Sequence, residues 1–304
     1  MNKYALVFPG QGAQKVGMMD AFLSESLIQE HLVQAQQVLD FDIVQLMAEG
    51  PVETLTQTYY AQLALFVMET GLYRLWRNRI ERSPVAVAGH SLGEYSALYA
   101  AEVISLEQGL ELVKHRAAWM QEDCEAAAGA MSAIIRPDLT QIKNLCQDYA
   151  RVVVANDNSP DQVVLSGDAE QLQMLNTRIK NAKAGRPIAL KVSGAFHSPL
   201  MQSASINMEK LLRETPFSPA AFPVVMNSVA RGITDPEDIK AALQQQMLSP
   251  VRWRESMQAL PQIDTVVELG PPTLKRLVQQ NISAASFVSP TTPEEMLNLT
   301  LKTG

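Results

Sequence analysis

The chain has 304 residues, more than the roughly 100–200 of a typical single domain, and its 47% hydrophobic and 19% charged composition excludes a disordered chain. A net charge of −7 argues against general nucleic-acid binding. The two cysteines, Cys124 and Cys146, stand in no CxxC or Cys/His spacing, which fits a reducing compartment and no structural zinc site.

Residues 1–9 hold too short an apolar core for a signal peptide. The most apolar helical stretch, 63–76, is interrupted by Glu69 and Arg74, so no membrane span is expected and the chain reads as cytoplasmic. Residues 4–8 read as a first strand, running into Pro9-Gly10-Gln11-Gly12. A dinucleotide fingerprint would need a third glycine where Lys15 stands, and no P-loop pattern is present. What remains is a glycine-flexible loop in which backbone N–H groups can converge. Helical patterns follow over 18–39 and 56–76.

Val85-Ala86-Val87-Ala88 then reads as a buried parallel strand, followed at once by Gly89-His90-Ser91-Leu92-Gly93 and a helix-forming run. A serine in that turn could simply cap the helix. Strand, tight turn and helix together favour a nucleophile elbow, with Ser91 exposed at a helix N-terminus. A helix over 105–122 follows, with Ser105 as its N-cap.

Near Ala126-Ala127-Ala128-Gly129 the chain changes character. The order becomes strand 130–136, helix 138–149, strand 152–155, strand 162–165, helix 169–183 and strand 187–192. Turn chemistry at Asn156-Asp157-Asn158-Ser159-Pro160 separates the middle strands. This β-α-β-β-α-β order is the ferredoxin-like one, so 127–193 reads as a small inserted domain. A helix begins near Pro199, and strands at 223–226 and 265–269 return the chain to the first sheet. The expected fold is α/β: a large domain of 1–126 and 194–304 built on a parallel sheet, interrupted by the insertion.

A serine hydroxyl needs a base. Of four histidines, His31 reads as a surface or boundary residue, His90 as a structural hydrogen bonder and His115 as lying on the outer face of its helix. His197, between a strand end and a helix start, is the favoured base. Arg116 lies at the edge of the stripe formed by Leu106, Leu110, Val113, Ala117 and Met120. It either snorkels to water or turns inward to meet a carboxylate with its planar fork.

These residues bring the chain to a resemblance. It resembles the malonyl-CoA:acyl carrier protein transacylase family, the acyltransferases of fatty-acid and polyketide synthesis, over nearly its whole length. The matching blocks are Phe8-Pro9-Gly10-Gln11-Gly12, Gly89-His90-Ser91-Leu92-Gly93-Glu94, Arg116 with Met120-Gln121, Gly129-Ala130-Met131, Asn158-Ser159-Pro160, Gly194-Ala195-Phe196-His197, Pro250-Val251-Arg252-Trp253 and Glu268-Leu269-Gly270-Pro271. The resemblance implies an α/β-hydrolase-like large domain with a ferredoxin-like insertion. It implies Ser91 as nucleophile and His197 as base, the base oriented by the backbone carbonyl of Gln246. Gln11 and Leu92 match the N–H donors of the oxyanion hole, and Arg116 the residue that holds the malonyl carboxylate, pointing inward. Phe196 and Leu92 match positions that shape the acyl pocket.

The reaction implied is a ping-pong transfer of malonyl from malonyl-CoA to the phosphopantetheine thiol of holo-acyl carrier protein, with no metal or redox cofactor. A monomer is expected, with neither nucleic acid nor membrane as partner. Recognition of an acidic carrier would use exposed cations near the cleft, Lys191 and Arg252 being candidates. Gly270-Pro271-Pro272, Asp157 and Ser249 depart from the family's pattern, and the last two bear on the carrier or acyl pocket. A serine acyl hydrolase of the same fold is the alternative, and a non-catalytic carrier-binding relative a third reading. Arg116 speaks against the hydrolase, which has no use for a buried cation, and the intact Ser91, His197 and Arg116 set speaks against the third.

Overall fold

β1 (Tyr4–Phe8) is buried along its whole length because it lies in the middle of a six-stranded sheet. In the computed structural model, which describes residues 3–303, the remaining strands are β2 (Ala86–Gly89), β3 (Gly129–Ile135), β4 (Val152–Ser159), β5 (Gln162–Asp168), β6 (Arg186–Ala189), β7 (Val224–Met226), β8 (Arg231–Ile233), β9 (Thr265–Glu268) and β10 (Ser286–Val288). The short apolar start read at 1–9, and the domain ranges 1–126 and 194–304, include residues 1, 2 and 304, which lie outside the described residues. The large sheet runs β10-β9-β1-β2-β7-β8, parallel except for the closing β7–β8 hairpin. Parallel strands carry helices on both faces, which is why β1 and β2 are continuous apolar runs rather than alternating ones.

The second sheet runs β4-β5-β3-β6 and is antiparallel throughout. Its strands alternate with the helices Leu139–Cys146 and Ala169–Asn181 in the expected β-α-β-β-α-β order. Boundaries differ, most of all between the middle strands. Asn156 to Ser159 belong to β4, and the turn is the dipeptide Pro160-Asp161. These turn-prone residues stay extended because the chain beyond the large sheet pairs with them: Val251 donates to the Ala155 carbonyl at 2.8 Å and Asp157 to the Val251 carbonyl at 2.9 Å. β6 stops at Ala189; the Leu190 N–H still donates to the Met131 carbonyl at 2.9 Å, and residues 191–193 run on exposed.

The Thr58–Arg79 helix runs through the core, packed by the helices Ser26–Gln36, Gly93–Ala100 and Leu106–Ala126. Residues 18–39, read as one helix, are a 3-10 turn (Asp20–Phe22) followed by the Ser26–Gln36 helix. Gln36 ends that helix, its side-chain amide turning onto the Phe41 carbonyl at 2.8 Å. The reading of His31 is corrected too. It is fully buried against the Thr58–Arg79 helix, with Nε2 3.0 Å from the Val67 carbonyl and 3.1 Å from Thr70 Oγ1. Gly71 makes the room, since a Cβ there would stand 3.0 Å from the imidazole. Ser105 and Gln108 form a reciprocal capping box that starts the Leu106–Ala126 helix, which carries Arg116. Among the described residues no helix is long and apolar enough to cross a membrane.

Candidate active site

β2 enters a turn so tight that no side chain fits at either glycine. A Cβ on Gly89 would lie 1.8 Å from the Gly93 carbonyl carbon, and one on Gly93 would lie 2.3 Å from the Phe8 carbonyl oxygen. The unfavourable backbone falls on Ser91 itself, at φ +54°, a conformation that costs a non-glycine residue about 1–3 kcal/mol. Surrounding bonds hold it there. The Ser91 N–H donates to Asn227 Oδ1 at 2.8 Å, and Gln246 Nε2 donates to the Ser91 carbonyl at 3.0 Å. Asn227 Nδ2 in turn donates to the Gly89 carbonyl at 2.7 Å.

His197, also at φ +54°, comes from the loop before the Pro199–Met201 turn and meets Ser91 with Nε2 2.7 Å from Oγ. Its Nδ1 lies 2.9 Å from the Gln246 carbonyl. A carbonyl only accepts, so Nδ1 carries the proton and Nε2 is free to take the one on Ser91. Burial, with the Arg116 charge adding to it, pushes the imidazole down to about 3, so the ring is neutral and able to accept a proton at neutral pH. The other candidates lie elsewhere. His90 Nε2 is bonded to Asn158 Oδ1 at 2.9 Å, and burial lowers its basicity. His115 stacks on Trp119 with its side chain 44% exposed.

Leu92 is the N-cap of the Gly93–Ala100 helix, and the Gln11 loop rides directly on the elbow: a Cβ on Gly10 would stand 2.4 Å from the His90 carbonyl oxygen. Among the described residues, neither the Gln11 nor the Leu92 N–H donates to a protein group. Leu92 and Phe196 are buried and line the cleft beside the dyad.

Arg116 points inward and is 1% exposed. Its Nη1 donates to Gln62 Oε1, and its Nη2 to Gln246 Oε1 at 3.0 Å and to Ser91 Oγ at 3.1 Å. The Tyr95 ring lies 5.5 Å from the guanidinium carbon. Nε is buried without an acceptor, and among the described residues no Asp or Glu forms an ion pair with this cation. A buried, unpaired guanidinium is costly to keep and marks a place for an anion.

Three further residues complete the site, and the sequence reading gave none of them a role. Gln62 is a polar residue on the core helix, and Asn227 anchors Ser91. Glu94 is fully buried, accepting from the Asn227 N–H and from Gln246 Nε2. Burial raises its carboxyl to about 7. A glutamine inside an apolar helix and a glutamate abutting the elbow were the available signals.

The dyad opens into a cleft of about 800 Å³ between the two sheets, walled by Met120, Met131, Ala133 and Val164. Lys191 lines its mouth, whereas Arg252 pairs with Glu255. Asp157 is engaged by Arg254 at 2.5 Å. Among the described residues no group of three or more His, Cys, Asp or Glu is placed to hold a metal ion.

Comparison with known proteins adds to this geometry. The family model described as an acyl transferase domain matches residues 5–297. The malonyl CoA-acyl carrier protein transacylase of Synechocystis sp. is 41% identical over 271 residues, covering 88% of this chain and 90% of that one. Its Escherichia coli namesake is 37% identical over 277 residues, covering 89% and 90%. Among solved structures, the malonyl CoA-acyl carrier protein transacylase of Coxiella burnetii superposes with a TM-score of 0.95 at 32% identity, covering 99% of this chain and 98% of that one. A type II PKS acyl-carrier protein in complex with its malonyl-transacylase gives 0.94 at 33% identity, covering 99% and 100%.

Proposed function

The chain belongs to the acyl transferase family, and we propose that it is a malonyl-CoA:acyl carrier protein transacylase. It moves a malonyl group from malonyl-CoA to the phosphopantetheine thiol of holo-acyl carrier protein, in fatty-acid synthesis or in the service of a polyketide assembly line. Relatives named for this activity, similar over nearly 90% of the chain, support the reading. The single observation that carries the substrate choice is Arg116, a buried cation with no ion-pair partner among the described residues, one hydrogen bond from Ser91.

In this account Ser91 Oγ attacks the thioester carbonyl while His197 Nε2 takes its proton. The N–H groups of Gln11 and Leu92 receive the oxyanion, each worth about 3 kcal/mol in the transition state. The C–S bond breaks, His197 returns the proton to the CoA sulfur, and an O-malonyl ester remains on Ser91. The carrier thiol then attacks by the same route. Gln246 holds the imidazole by its carbonyl, and Arg116 holds the malonyl carboxylate. Acetyl is disfavoured because it leaves the guanidinium without its anion. Phe196 and Leu92 bound the acyl pocket, and a bulky Phe196 disfavours branched extender units. The chemistry calls for no metal or redox cofactor.

Within this reading, 1–126 and 194–304 form the catalytic domain and 127–193 the inserted one. The enzyme works as a cytoplasmic monomer, with neither nucleic acid nor membrane as partner. A serine acyl hydrolase is not favoured, since it has no use for Arg116. The test is Arg116→Ala, which should lose malonyl loading selectively and gain relative acceptance of acetyl. Unchanged loading and selectivity would remove the carboxylate assignment.

A further inference from the structure

Ser91 Oγ touches two groups at once. It donates to His197 Nε2 at 2.7 Å and accepts from Arg116 Nη2 at 3.1 Å. We infer that Arg116 restrains the nucleophile until a substrate carboxylate draws the guanidinium off it, so that the malonyl group activates the dyad that receives it. This rests on the proposed reading of Arg116 as the carboxylate site and goes beyond it: the cation selects by changing the reactivity of Ser91 as well as by binding.

The contacts support an exchange. A cationic donor on Oγ occupies a lone pair and withdraws charge from the atom that must attack. The guanidinium's other hydrogen-bonded side chains, Gln62 and Gln246, are neutral, the Tyr95 ring and the Glu94 carboxyl bear on it electrostatically without forming an ion pair, and Nε has no acceptor. An arriving carboxylate that takes Nη2 from Ser91 Oγ displaces only a neutral hydroxyl, a weaker acceptor than an anion. The same cation lowers the basicity of His197. An anion seated on it offsets that field and favours the imidazolium formed as Oγ bonds to carbon and its proton passes to Nε2. The C–S bond then breaks and the proton leaves with the CoA thiol. An acetyl group brings no anion, so Arg116 stays on Oγ and the attack is slow even with the thioester bound.

Binding and activation separate in single-turnover acylation of the full-length protein, followed by intact mass at rising malonyl-CoA or acetyl-CoA, with sodium formate or sodium chloride at equal ionic strength. Activation predicts that malonyl stays faster by about tenfold or more at saturating thioester, because the effect lies on the chemical step. It also predicts that formate, a carboxylate supplied separately, raises the saturating acetyl rate severalfold while competing with malonyl-CoA. Arg116→Met should abolish the formate effect, and the two wild-type arms decide the matter if that variant does not fold. Saturating rates that converge for the two thioesters, or an acetyl rate indifferent to formate, overturn the inference while leaving Arg116 as a binding residue. Formate stimulation that persists in Arg116→Met overturns it as well. Absence of any malonyl preference, in half-saturation or in rate, would instead remove the proposed function on which the inference rests.

Discussion

Ser91 and His197 share a left-handed backbone at φ +54°, and their side chains meet at 2.7 Å. Asn227 and Gln246 grip the two backbone groups of Ser91, so the strain is held by a network rather than by local sequence. Ser91→Ala keeps the positive φ and Ser91→Gly relieves it. Both should be unreactive toward malonyl-CoA, with the glycine variant more stable in urea unfolding by about 1 kcal/mol. Equal stability would mean that the turn stores no strain. At this scale Ser91, His197 and the edge position of Arg116 were legible, because each stands in a local pattern with chemical meaning. Gln11, Leu92 and Gln246 came from resemblance. The roles of Gln62, Asn227 and Glu94 stayed hidden because their partners are far away in sequence: Asn227 meets Ser91 across 136 positions and Glu94 meets Gln246 across 152.

Elements explain where sequence reading held and where it failed. The strand–elbow–helix unit was legible because its two glycines are dictated by contact: Gly93 sits against the Phe8 carbonyl of β1. Gly93→Ala has no space for its methyl, so it should unfold the protein at lower denaturant and abolish acylation together; a folded, active variant would contradict that packing. The turn read at 156–160 failed because pairing with Val251 overrides local Asn, Asp and Ser chemistry. His31 failed because the partner that buries it is a glycine on another helix. Its burial has a pH consequence. The folded imidazole is lowered to about 4 from the ordinary 6.5, so the unfolded chain binds the proton first as pH falls. The stability this neutral ring contributes is present above about pH 6.5 and lost on acidification toward pH 4. His31→Met should flatten that part of the stability–pH curve, whatever its absolute stability. An unchanged slope would place the titration elsewhere.

At the scale of the whole molecule, Ser91, His197 and Arg116 come from the large sheet's connections and the small sheet closes over them. β4 is tied to the large sheet's side by Val251, by His90 on Asn158, and by Asn281 on the Asn158 carbonyl at 2.8 Å. At the opposite edge Ser193 Oγ lies 2.7 Å from Thr58 Oγ1, beside Lys191 at the cleft mouth. The division into two sheets was readable from element order; the cleft between them was not, because it depends on how the sheets dock. In the proposed reaction the acyl group is carried through that cleft from one thiol to another. Intact-protein mass spectrometry after brief mixing with malonyl-CoA, and separately with acetyl-CoA, each chased with holo-acyl carrier protein, tests it directly. The expected result is a malonyl adduct on Ser91 that persists in water and passes to the carrier. An adduct that forms as readily from acetyl-CoA and decays to free acid would contradict it.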